Sequence, residues 1–238
     1  TVYMTKAIIR RGRERTEIDI LYSDGILTAV YPFYGPANAK TLREQIRQDN
    51  LQEPTSKELA IFAEAMYGGK KKEEKNATKK MRENYFRGFT GILYVPKTQL
   101  AHFIDYPEFD ENSILDTQNL LSRLRDSYAQ VPFEYIRPGV IEWTQVAKHS
   151  YIQAWAHGEE GAERLAELTS KHPAKTAYIC VPNVSNMKEP EARLASLDSG
   201  WHDFRLSVYG DVCDCDGGDY AFGVRREGAR AGEAAQTF

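Results

Sequence analysis

The sequence predicts an α+β domain, and three observations carry that prediction. Strand-like and helix-like segments both occur, but they never alternate regularly enough for a doubly wound parallel sheet. No internal repeat is present. A chain of 238 residues, 42% hydrophobic and 27% charged, has the composition of a folded protein and the length to bury a core. The expected organisation is one elaborated domain over residues 1–230, followed by a frayed Gly/Ala-rich tail at 231–238.

The elements follow in chain order. Ala7–Arg10 and Thr16–Tyr22 read as a hairpin, and Ser23-Asp24-Gly25 turns the chain into a third strand, Ile26–Val30. Pro32-Phe33-Tyr34-Gly35-Pro36 is expected to break that strand, before a polar helix over Ala39–Gln48. Thr55 and Glu58 have capping-box spacing. Leu59, Phe62, Ala63 and Met66 then form one apolar stripe, and Gly68-Gly69 supplies the stop. The Lys-rich run 70–80 reads as a solvated helix or a mobile linker. Ile92–Val95 and Ala101–Ile104 are expected strands. Ile114, Leu121, Leu124 and Tyr128 predict a further helix closed by Pro132. Ser150–Trp155 and Glu159–Ser170 read as helices around Gly158, and Thr176–Val181 as a buried strand ended by Pro182. Two short strands, Phe204–Tyr209 and Tyr220–Arg225, flank an Asp-rich loop near the end.

Composition also limits function. No apolar run reaches the ~18–20 residues that cross a bilayer, so no membrane span is expected. Thr1–Met4 lacks the basic-then-apolar layout of a secretory signal. This leaves two expectations for location, the cytoplasm or display at a cell surface through another protein. Three cysteines do not make a disulfide framework. A net charge of −3 gives no global pull toward nucleic acid. Locally, however, 70–87 carries a charge of +5 and 198–219 a charge of −5.

Known chemical motifs are missing. There is no Walker loop, G-x-G-x-x-G, nucleophile elbow or H-E-x-x-H. His102, His149, His157, His172 and His202 have no ligand-like spacing. Cys213 and Cys215 would share a face on an extended segment, but no second Cys or His pair completes a zinc site. Counting from Asp214, the EF-hand register fails at Gly218 and Arg225. The expectation is therefore no metal, no cofactor and no catalytic residue. The basic run 70–87 has no aromatic before Tyr85 to stack bases, so a nucleic-acid module is the weaker alternative.

One segment is compositionally distinct. Lys, Glu, Gln, Met and Trp supply 51 of the 238 residues, yet Ala192–Arg226 contains only Trp201 of these types. An ordinary mixed surface would place about 7.5 of them in 35 positions. None of the five types has a codon ending in a pyrimidine, whereas every other type in the window does. Randomising Asn codons at their two adenines leaves this footprint.

With that footprint, Leu197-Asp198-Ser199-Gly200-Trp201, Arg205-Leu206-x-Val208 and Tyr220-Ala221-Phe222-Gly223-Val224-Arg225 resemble the variable region of diversity-generating retroelement variable proteins. The closing strand is similar to the last strand of C-type lectin folds related to formylglycine-generating enzyme. The whole chain looks most like the archaeal, Nanoarchaeota-type members. The resemblance implies a C-type lectin fold with extra N-terminal strands and helices, and a hypervariable site over 192–226. It also implies binding of a macromolecular ligand, a protein or surface glycan, without catalysis. Alternation along the strands assigns Trp201, Leu206, Val208, Phe222 and Val224 to the scaffold. The displayed, variable positions are expected at Asp198, Gly200, His202, Asp203, Phe204, Ser207, Tyr209, Asp211, Cys213, Cys215, Asp216 and Asp219. The enzymatic alternative is a formylglycine-generating-type oxidase relative using Cys213 or Cys215, although neighbouring Asp residues would raise a thiol's pKa.

Overall fold

In the computed structural model, the described residues are 7–23, 25–200, 205–211 and 217–226. The N-terminal meander forms as the turn chemistry predicts: β1 (Ala7–Arg11), β2 (Thr16–Tyr22) and β3 (Gly25–Ala37) pair antiparallel in sequence order. The prolines at 32 and 36 do not end β3. It runs on to Ala37, paired with β11 (Asp219–Arg225) through two register shifts, and irregular pairing gives a place to residues without an N–H.

Three helices follow. Asn38 caps α1 (Ala39–Gln48) by accepting from the Thr41 N–H, 2.9 Å. The Thr55–Glu58 box opens α2 (Ser56–Met66), which is buried on nearly every side because it lies across the sheet. The Lys-rich run becomes α3 (Lys72–Glu83). Glu73, Glu74, Ala77, Thr78 and Met81 are buried on one side, and Lys72, Lys75, Lys79 and Arg82 are exposed on the other.

The centre of the sheet is β4 (Phe86–Val95), every residue of which is buried. On one side it pairs with β9 (Glu191–Asp198), on the other with β5 (Leu100–Asp105) and, through Phe86 and Tyr220, with β11. β5 in turn pairs with β6 (Ala129–Pro132). Beyond β9 lie β10 (Leu206–Tyr209), β8 (Thr176–Cys180) and β7 (Gly139–Glu142). Only β10–β8 and β11–β4 are parallel pairs among the described strands.

The expected helix through Ile114–Tyr128 does not form as one unit. Asp116 caps a short α4 (Thr117–Ser122), whose anchor is Leu120, and a 3-10 turn follows at Leu124–Asp126. Ile114 is exposed. Arg123 donates to the Asp105 and Tyr106 carbonyls and turns the chain there. Pro132 therefore ends a strand, not a helix.

The remaining helices are α5 (Trp143–Val146), α6 (Ser150–Trp155) and α7 (Glu159–Ser170). α2, α6 and α7 cover one face of the sheet. There Phe62, Phe86, Phe222, Tyr151, Trp155, Leu206 and Val208 join the main core. Its apolar packing is the dominant favourable contribution to the fold.

Candidate functional site

Leu206, Val208, Phe222 and Val224, assigned to the scaffold from the sequence, are core residues, none more than 1% exposed. Trp201 lies outside the described residues.

The opposite face of β10 is where expectation and structure part. Ser207 and Tyr209 do share a face, but that face is covered. Asp198, Ser207 and Asp219 are at most 1% exposed and Tyr209 is 5% exposed. Alternation fixes which side of a strand a residue occupies, but only the neighbouring strands and loops decide whether that side meets water. β9 and β8 pair both edges of β10, and Tyr85 packs on Tyr209 from the second face.

These buried polar residues line up across strands. Arg87 of β4 is opposite Ser196 of β9, Ser196 opposite Tyr209 of β10, and Tyr209 opposite Cys180 of β8. In the next row Asp198 faces Ser207, and Ser207 faces Tyr178. Arg87 extends the first row to β11: its Nε donates to Asp219 Oδ2 at 2.7 Å and its Nη1 to Ser196 Oγ at 2.8 Å. Tyr85 packs edge-on against Tyr209, with ring centroids 5.0 Å apart. Burial beside the Asp198 carboxylate drives the Tyr209 phenol well above its ordinary value, so it stays protonated. Burial likewise pushes the Cys180 thiol up to about 12, which leaves it no thiolate for chemistry at neutral pH.

This ladder underlies both connections that bound β10. The β9–β10 connection leaves over α3: the Ser199 N–H donates to the Met81 carbonyl at 2.8 Å, and the Gly200 N–H to Asp198 Oδ1 at 3.2 Å. Gly200, expected to vary, is half-buried, and a Cβ there would overlap the Arg82 carbonyl oxygen. The β10–β11 connection leaves over α6. Trp155 Nε1 donates to the Tyr209 carbonyl at 3.0 Å, and the Tyr94 hydroxyl to the Gly210 carbonyl at 2.8 Å. Asp211 is exposed, as expected. His202, Asp203, Phe204, Cys213, Cys215 and Asp216 lie outside the described residues. Of the twelve expected display positions, the described part thus exposes Asp211 and buries Asp198, Ser207, Tyr209 and Asp219.

A solved structure from work on the accommodation of massive sequence variation in Nanoarchaeota by the C-type lectin fold is similar to this chain. The likeness has a TM-score of 0.56 at 14% identity, and covers 81% of this chain and 96% of that one. The fold is the C-type lectin fold. No family model and no curated protein matches the sequence.

Within this C-type lectin fold the other sequence candidates fall as follows. Among the described residues no group of three or more His, Cys, Asp or Glu could hold a metal ion, and no helix is long and apolar enough to cross a membrane. In the basic run, Arg87 is fully buried, and Lys80 Nζ donates to the Tyr220 hydroxyl at 2.8 Å. Lys71 Nζ donates to the Ala7 carbonyl. Sequence reasoning missed Arg87, which ties β4 to β9 and β11, and Trp155 and Tyr94, which hold the end of β10. Each is far from β10 in the chain, and no local spacing signals a contact of that kind.

Proposed function

We propose that this protein is a ligand-binding display protein whose binding specificity resides in the two connections flanking β10, residues 199–205 and 210–218. In this reading the retroelement-type footprint over 192–226 marks diversification, and the partner is a protein or a cell-surface glycan. The chain binds and performs no catalysis. The observation that carries the reading is the arrangement of β10. Its C-terminal end is held by hydrogen bonds from residues outside the variable window: Trp155 to the Tyr209 carbonyl and Tyr94 to the Gly210 carbonyl. The Met81 carbonyl holds Ser199 in the same way. A framework fixed from outside tolerates changes in the intervening side chains, because most surface substitutions cost within about 0.5 kcal/mol. Aromatic and acidic side chains on such connections can supply area and polar specificity.

The variable set under this proposal is narrower than the twelve positions read from sequence: His202, Asp203, Phe204, Asp211, Cys213, Cys215 and Asp216. A library randomised at these seven positions tests it directly. Most members should stay folded, and selection against unrelated protein and glycan targets should yield different binders. General loss of folding across the library would overturn the proposal. Sequencing beside the gene supplies the genetic arm: a near-identical repeat differing mainly at adenines is expected.

A further inference from the structure

A cleft with a volume of about 630 Å³ lies away from β10, between β6 and α6. Tyr128, Gln130, Tyr135, Ser150, Gln153 and His157 supply its polar and aromatic lining. No Lys, Arg, Asp or Glu is among the described residues that line it.

One wall is a locked ring stack. The His157 imidazole lies on the Tyr128 ring with centroids 3.5 Å apart and planes 23° from parallel. His157 Nε2 is 3.1 Å from Asp105 Oδ1, and Thr90 Oγ1 donates to the same carboxylate oxygen at 2.6 Å. The Tyr128 hydroxyl turns inward to Ser56 and Thr90. Both rings are therefore held from behind while the cleft stays open in front.

The backbone at His157 makes this placement costly. It ends α6 in the left-handed region, φ 55°, where the Gly158 N–H closes the helix on the Gln153 carbonyl at 2.7 Å. Glycine or asparagine is the usual residue at such a helix end. A β-substituted residue there costs on the order of 1 kcal/mol. The imidazole is held in a strained position whose side chain faces a cleft, a combination typical of ligand sites.

We propose that this cleft is a fixed binding site for an uncharged sugar ring, independent of the variable window. Lining without charge selects a neutral ligand, since an ion would enter with no counter-charge. The exposed Tyr135 ring and the Tyr128–His157 stack offer flat apolar faces for the C–H face of a pyranose. Gln153 spends an Nε2 hydrogen on the Ala147 carbonyl, 2.9 Å, which orients its Oε1 as an acceptor. Gln130, exposed on β6, offers both a donor and an acceptor, matching hydroxyls that do the same. The short α6 connects the two sites. Ser150, Gln153 and Ala154 line the cleft, while Trp155 holds the end of β10 and Tyr151 meets the Tyr94 hydroxyl that bonds Gly210.

The test is protein-observed NMR of the full chain with methyl glucoside, methyl galactoside, methyl mannoside and N-acetylglucosamine as probes. At least one should shift resonances of residues 128–135 and 150–158 saturably. Tyr135→Ala and Gln130→Leu, both at exposed side chains, should each weaken that probe at least about tenfold while leaving Tm within a few degrees. Saturable shifts with none of the four would overturn the proposal, as would affinity unchanged in both variants. Tighter binding of glucuronate than of methyl glucoside would overturn the assignment to an uncharged ligand.

Discussion

Arg87 and Asp219 form an ion pair 2.6 Å long whose side chains are 0% and 1% exposed. It closes β4 against β11 at the place where those strands share a single backbone pair, Tyr220 with Phe86. Asp219 belongs to the Asp-rich stretch that reads as a display loop, yet its partner makes it part of the frame. Removing one member of a buried ion pair strips the other charge of that partner, which typically costs about 3–5 kcal/mol. Asp219→Asn should therefore lose about that much in urea denaturation. A double Arg87→Met, Asp219→Leu variant should lose less than Asp219→Asn alone.

Tyr209 and Asp211 are two residues apart in the chain and should behave oppositely. Tyr209 packs on Tyr85 and Cys180 with its hydroxyl buried, so Tyr209→Ala should cost about 3 kcal/mol by cavity formation. Asp211 is exposed, and Asp211→Ala should shift stability by no more than about 0.5 kcal/mol. Thermal melts of the two variants check this contrast.

Two glycines set limits on the connections around β10. A Cβ on Gly200 would overlap the backbone carbonyl of Arg82, and one on Gly210 would overlap the Tyr151 hydroxyl. Backbone yields less easily than a side-chain terminus. Gly200→Ala and Gly210→Ala are each expected to lower stability by about 1–3 kcal/mol, the usual cost of overpacking. Deep sequencing of a folded-fraction library should find glycine retained at both positions.

Stability should fall in mildly acid solution. Burial holds the imidazoles of His102 and His172 below the ordinary histidine value of 6.5. His172 lies against Tyr67, with ring centroids 4.3 Å apart, and Arg82 adds to the depression. In the unfolded chain these histidines protonate near 6.5, while in the folded chain they remain neutral. The unfolded state thus binds more protons below that pH, and stability is lost as pH drops from 6.5 toward the folded values. Urea midpoints at about pH 7.5, 6.5 and 5.5 should decrease in that order, and His172→Phe should flatten the slope. A separate loss is expected at lower pH, where Asp49 and Glu73, held below their usual values by Tyr34 and Arg11, finally protonate.

Much of the local structure was legible because its causes are local. The Thr55–Glu58 box, the apolar stripe from Leu59 to Met66 and the pairing of β2 with β3 involve residues close in the chain, and each forms as read. β9 was not legible. Ala192 and Leu194 pack on one face and Ala195 and Leu197 on the other, as a two-residue period requires, but both faces are buried, so no apolar–polar alternation marks the strand in the sequence.

The sequence alone determined the alternation on β10, with Leu206 and Val208 on one face and Ser207 and Tyr209 on the other, because chain geometry imposes a period of two. It also determined the composition of the 192–226 window. Only the tertiary structure decided which of those side chains meet solvent. Strands β8 and β9 flank β10, and Arg87 reaches Asp219 across the sheet. Burial is a property of what packs against a residue, and the residues that pack against β10 come from distant parts of the chain.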